Sequence, residues 1–131
     1  MKYIIDDNFL DDSKYLEFIR NNPGKANLKI RAFTASEALP LVGIHVVVRT
    51  KVGEDEFVFF DGETDSSGMI RTLSLPTPSL IPDNLEAPSS ILYEILAESE
   101  TMHMNRLYQV RMYDGICVIQ NIELLPEWGS N

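Results

Sequence analysis

The chain has 131 residues, 44% of them apolar and 24% charged, with 20 acidic side chains against 11 basic ones and a formal net charge of −9. That length suits one domain with a proper core. The acidity disfavours binding to phosphate backbones or anionic lipid, which need Lys and Arg, and no apolar run approaches the roughly 18 residues that span a bilayer. The charge reads first as a means of solubility and second as a docking surface for a basic partner.

In chain order, the first 25 residues differ in kind from the rest. Met1-Lys2-Tyr3-Ile4-Ile5-Asp6-Asp7 has one basic residue, a short apolar stretch and two acids. This is not the pattern of a secretory leader, so a cytoplasmic location is expected. Phe9, Leu10, Tyr15, Leu16, Phe18 and Ile19 are spaced for one face of a helix between Asp11 and Arg20. Asp11, Asp12 and Ser13 are candidate N-caps, and Asn21-Asn22-Pro23-Gly24 stops the helix. Such a helix packs on its own domain or reaches a neighbouring subunit.

After Gly24 the period changes to two. Leu28 to Ala32 predicts a half-buried strand, and Thr34 to Val42, with Pro40, a loop. Val42, Ile44, Val46 and Val48 then alternate with His45, Val47, Arg49 and Lys51, the clearest strand of the chain. Val52-Gly53-Glu54-Asp55 predicts a hairpin turn and Glu56 to Asp61 the returning strand. Thr64-Asp65-Ser66-Ser67-Gly68 reads as a second hairpin turn, because Asp65 can fold onto backbone N–H groups and Gly68 tolerates a positive φ. It leads into a strand from Met69 to Leu75 that ends at Pro76. Four prolines forbid regular structure between Pro76 and Ser90, and an element-free connection of about fifteen residues is uncommon in a compact domain. Strands from Leu92 to Glu98, Leu107 to Met112 and Ile116 to Leu125 complete the pattern, with a tight turn at Asp114-Gly115. The last of them is apolar enough at its start to be a central strand. The expectation is all-β: a seven-stranded antiparallel sandwich over residues 26–127, preceded by a helical arm at 1–25 and followed by a tail at 128–131.

Few residues point to chemistry. Cys117 is the only cysteine, which excludes an intrachain disulfide, and its apolar neighbours predict a small buried hydrophobe. Asp61-Gly62-Glu63-Thr64-Asp65 alternates acids as a calcium loop does, but the match fails at Ser66 and Thr72, where a glycine and a glutamate are needed. His45 lies on the polar face of its strand and His103 between two methionines; a zinc site would need both histidines and added carboxylates brought together by folding. There is no Gly-x-Ser-x-Gly elbow and no Gly-rich phosphate loop. Phe33 and one of the pair Phe59/Phe60 fall opposite the expected core, where they either lie under the N-terminal helix or bind a sugar or peptide. No catalytic, metal-binding or cofactor-binding residue is assigned, no cofactor is implied, and the chain is expected not to be an enzyme.

The order of signals resembles the carboxypeptidase-regulatory-like domains, whose fold is a transthyretin-like (prealbumin-like) sandwich. The resemblance rests on Leu28 to Ala32, Pro40-Leu41-Val42-Gly43, Ile44 to Val48, Thr64 to Gly68 and Leu75-Pro76. Tyr93 to Ala97 and Ile122 to Glu127, with the Pro-rich loop, are similar to the N-terminal region of spore-cortex-lytic enzyme precursors and related stand-alone proteins of spore-forming Firmicutes. That region is a non-catalytic pro-region, so the resemblance implies a binding or assembly module associated with spores or cell walls, with a protein partner or self-association. Binding of peptidoglycan carbohydrate and a small hydrolase with a site not visible in sequence are the alternatives. The transthyretin-like hydroxyisourate hydrolases carry a His in the first strand and end in Tyr-Arg-Gly-Ser. Here Leu28 to Ala32 lacks the His and the end reads Trp128-Gly129-Ser130-Asn131. Any working surface is expected at the Pro76 to Ser90 loop and the N-terminal helix.

Overall fold

A computed structural model describes residues 2–5, 13–34, 39–80 and 89–124. They form β1 (Lys2–Ile4), α1 (Ser13–Asn21), β2 (Gly24–Thr34), β3 (His45–Val52), β4 (Asp55–Glu63), β5 (Leu73–Thr77), β6 (Ile91–Ser99), β7 (Met104–Met112) and β8 (Cys117–Leu124). The strands make a five-stranded sheet, ordered β1-β4-β3-β6-β7, and a three-stranded sheet, ordered β5-β2-β8. The described residues are mostly β with one short helix, as the periodicity indicated. They do not form seven antiparallel strands: they hold eight, and β1–β4 and β2–β8 pair in parallel. β1 escaped the pattern because three residues show no period. The parallel pair follows from a docking contact. The Asp114 carboxylate accepts the Lys25 N–H at 3.0 Å and the Gly115 N–H donates to the Lys25 carbonyl at 2.8 Å, so the strand leaving this turn runs beside β2 in the same direction.

One hydrophobic cluster takes side chains from both sheets. In β2, Ala26, Leu28, Ile30 and Ala32 point inward while Lys25, Asn27, Lys29 and Arg31 stay exposed. From the other sheet come Val46 and Val48 of β3 and Tyr93, Ile95 and Ala97 of β6, all fully buried. Each such aliphatic side chain contributes about 1.5–3 kcal/mol by leaving water. The Tyr93 hydroxyl donates to the Pro76 carbonyl at 2.6 Å and ties the two sheets together. Burial pushes this phenol far above its ordinary pKa, so it remains a neutral donor.

Local departures from the alternating pattern have local causes. Gly53 takes a φ of 61° at the first central position of the β3–β4 hairpin, where Val52 pairs with Asp55. A bulge opposite Val48 and Arg49 inserts one extra residue in β4, so the alternation breaks there. Phe57 and Phe59 are therefore both buried and Phe60 packs against the same cluster, and neither Phe59 nor Phe60 turns away from the core. Phe33 is half-buried with the Arg31 guanidinium 5.5 Å from its ring centre. β3 begins at His45, leaving Val42 exposed in the preceding turn. Pro76 does not end its strand. β5 starts only at Leu73 and runs through Pro76 to Thr77, which an edge strand tolerates because one row of its N–H groups has no ladder partner. Among the described residues β8 is also an edge strand, not a central one, and Cys117 is exposed, not buried.

Candidate binding site

The turn at Thr64 to Gly68 is built as a corner. The Asp65 carboxylate accepts the N–H groups of Ser67 at 2.8 Å and Met69 at 3.0 Å. The buried Thr64 hydroxyl accepts the Ile44 N–H at 3.0 Å and donates to the Leu41 carbonyl at 2.6 Å. Gly68 has a φ of 74°, and a Cβ there would collide with the Ala32 carbonyl oxygen. The element is not a hairpin. β4 lies in one sheet and β5 in the other, and Met69 makes only an isolated bridge to Arg31, so the corner carries the chain across the core. Asp65 is committed to its own turn, and Asp61 lies against His45.

His45 sits on the outward face of the five-stranded sheet with its Nε2 2.6 Å from Asp61 Oδ1 and its Nδ1 3.6 Å from Glu98 Oε2. The hydrogen bond that its ring N–H donates to Asp61 raises its pKa most; partial burial opposes this, and the negative charges of Asp61 and Glu98 add to the rise. The two carboxylates meet different ring nitrogens, so they cannot join His45 around one ion. No group of three or more His, Cys, Asp or Glu suited to a metal occurs among the described residues. His103 lies in the β6–β7 turn with a φ of 52°, exposed. Next to His45 on the same face, Arg49 meets Glu56 at 3.1 Å and Glu94 at 3.2 Å. Burial alone would raise the Glu94 carboxyl, but hydrogen bonds from Arg49 and Gln109 and the charge of Lys51 outweigh it and hold the group below its usual range.

A concavity lies elsewhere, between α1 and the hairpin end of β3 and β4. It encloses about 550 Å³ and is lined by Phe18, Asn21 and Asn22 of the helix region, Thr50, Lys51 and Val52 of β3, Phe57 of β4, and Pro78, Ser90, Ile91 and Leu92. The helix forms one wall because Phe18 stacks on Phe57 with ring centres 4.8 Å apart and packs against Phe59 at 6.0 Å. Asn22 Nδ2 donates to the Phe18 carbonyl at 2.9 Å and closes the helix end. Thr50 donates to the Leu92 carbonyl at 2.8 Å, and Lys14 and Asp55 approach to 3.7 Å across the rim. The groove thus has an apolar floor and a rim of amides, hydroxyls and paired charges. Sequence pointed to its two sides, the N-terminal helix and the ends of the Pro-rich loop. The β3 face between them gave no signal, because Thr50 and Lys51 read only as the end of a strand. The expected N-caps Asp11 and Asp12, and residues 81–88 of the Pro-rich loop, lie outside the described residues.

No family model matches the chain, and no curated protein matches it either. Among solved structures it is similar to a 9R-lipoxygenase from Cyanothece PCC8801, at 13% identity with a TM-score of 0.33. The alignment takes in 82% of this chain and 17% of the lipoxygenase, so the chain spans about a sixth of that protein. No helix among the described residues is long and apolar enough to cross a membrane.

Proposed function

We propose that this chain is a non-catalytic β-sandwich module of the transthyretin-like, carboxypeptidase-regulatory-like kind, and that it works by binding or assembly in a spore or cell-wall setting. The groove beside α1 carries the reading. Its lining among the described residues sets amides, hydroxyls and the charged side chains of Lys14, Glu17, Lys51 and Asp55 around an apolar floor, groups that can hold a ligand. The histidine that does meet carboxylates, His45, lies outside the groove on the outward face of the five-stranded sheet. The corner at Thr64 to Gly68 supports the fold relationship, since its residues are held in the roles a recurring turn signature requires. The rim of Asn21, Asn22, Lys51 and Ser90 favours a carbohydrate or peptide ligand, and peptidoglycan fragments combine both chemistries. Calorimetric titration with disaccharide-peptide muropeptides at millimolar concentration tests this. Heat of binding is expected, reduced at least fivefold in an Asn21→Ala/Lys51→Ala double variant, with the ligand recovered unchanged by mass spectrometry. No heat would remove the carbohydrate reading, and a cleaved ligand would overturn the non-catalytic one.

A further inference from the structure

The two central strands of the five-stranded sheet, β3 and β6, pair in antiparallel register and present three consecutive outward pairs: His45 with Glu98, Val47 with Leu96, and Arg49 with Glu94. A base faces an acid at both ends, and two aliphatic residues face each other between them. The face is most open at one end, with 43% of the His45 side chain and 48% of that of Glu98 exposed to solvent, and closes toward the other, where Arg49 and Glu94 are 22% and 15% exposed.

We propose that a second copy of this chain docks on this face, related by a two-fold axis running parallel to the strands between β3 and β6. Such an axis exchanges the two strands. His45 of one copy then lies over Glu98 of the other, Val47 over Leu96, and Arg49 over Glu94. The same axis exchanges β4 with β7 and brings Glu56 over Arg111. An axis across the strands instead would set His45 over Arg49 and Glu98 over Glu94, so charge selects the first arrangement. Aligned sheets pack in this way at about 10 Å separation. Four strands and four outward residues on each give about 500 Å² per copy, the low end for a specific interface, so the association is weak and reversible. The net charge of −9 works against it at long range, and moderate salt therefore relieves repulsion before it screens the contact pairs. The dimer face shares Lys51 with the groove, its Nζ lying 3.8 Å from Glu94, but a monomer that still binds ligand in the groove would sink the dimer alone.

Sedimentation velocity on the full chain, from about 20 µM to 1 mM, decides the matter. The mean mass should rise toward that of two chains. Leu96→Lys should weaken association at least tenfold, while Ile119→Lys, on the exposed side of β8 in the other sheet, leaves it unchanged. The exchange Arg49→Glu with Glu94→Arg keeps the 49–94 pair within one chain and between two identical chains, gives up the contacts of Arg49 with Glu56 and of Lys51 with Glu94, and sets like over like against the wild type. It should still associate with itself, more weakly than the wild type, and form no mixed dimers with isotope-labelled wild type in native mass spectrometry. Constant mass across the series, wild-type association by Leu96→Lys, or free mixing of the exchanged and wild-type chains would each overturn the proposal.

Discussion

The two faces of β3 teach opposite lessons. Inward, Val46 and Val48 have no exposed surface and share the core cluster with Ile95 and Tyr93 of the neighbouring strand. Outward, His45, Arg49 and Lys51 meet five carboxyl contacts, all of them at least partly wetted. The same strand is held together by burial on one side and only decorated by charge on the other. Burial of a side chain is worth kilocalories, whereas an exposed ion pair contributes about 0–1 kcal/mol. The outer face is therefore free to serve recognition, since changing it costs little stability.

Substitutions should sort by face. The largest effect is expected from Ile95→Ala, which empties a fully buried site and should lower unfolding free energy in urea by about 3 kcal/mol. A loss under 1 kcal/mol would mean that this part of the core is loosely packed. Gly68→Ala follows at about 2 kcal/mol or more, because it adds left-handed strain and a clash with the Ala32 carbonyl at the corner between sheets. Tyr93→Phe should cost about 1–2 kcal/mol by leaving the Pro76 carbonyl unpaired inside the protein.

The smallest effect sharpens the outer face. His45 has a raised pKa in the folded chain, so its stabilisation is fully present below its unfolded pKa near 6.5 and is lost as pH rises through the folded value. Melting temperature should thus fall more in wild type than in His45→Gln as pH rises from 6 to 8, and parallel pH profiles would show that Asp61 and Glu98 do not hold the ring. Glu94 has the opposite sign: its contribution is present above its unfolded pKa and lost as pH falls through the depressed folded one.

The core was readable in sequence where a strand has one buried and one wet face for its whole length. Leu28, Ile30 and Ala32 and then Val46 and Val48 follow that rule, and the hairpin at Gly53 and the Asp65 turn carry chemistry specific to their geometry. What escaped depends on pairing between distant segments. Nothing in Lys2-Tyr3-Ile4 announces that it will lie parallel to Glu56-Phe57-Val58. The bulge in β4 leaves no trace in Phe57-Val58-Phe59-Phe60, and the apolar stretch around Cys117 has the composition of a central strand although β8 lies at an edge among the described residues. The corner after Thr64 was visible as a turn, but whether the chain returns to the same sheet or crosses to the other is decided by the bonds of Thr64 to Leu41 and Ile44, twenty residues away or more. The groove is assembled from α1, the β3–β4 end and the start of β6, and no local pattern spans those three.

The central claim is that this chain binds through the groove beside α1 without performing chemistry there. The most direct measurement is the backbone amide spectrum of labelled protein during titration with a muropeptide. Shift changes should cluster at Asn21, Asn22, Lys51 and Ser90 and leave the Thr64 to Gly68 corner unmoved, with the ligand's own signals intact after prolonged incubation. Changes centred instead on His45 and Asp61, accompanied by new ligand signals, would contradict it.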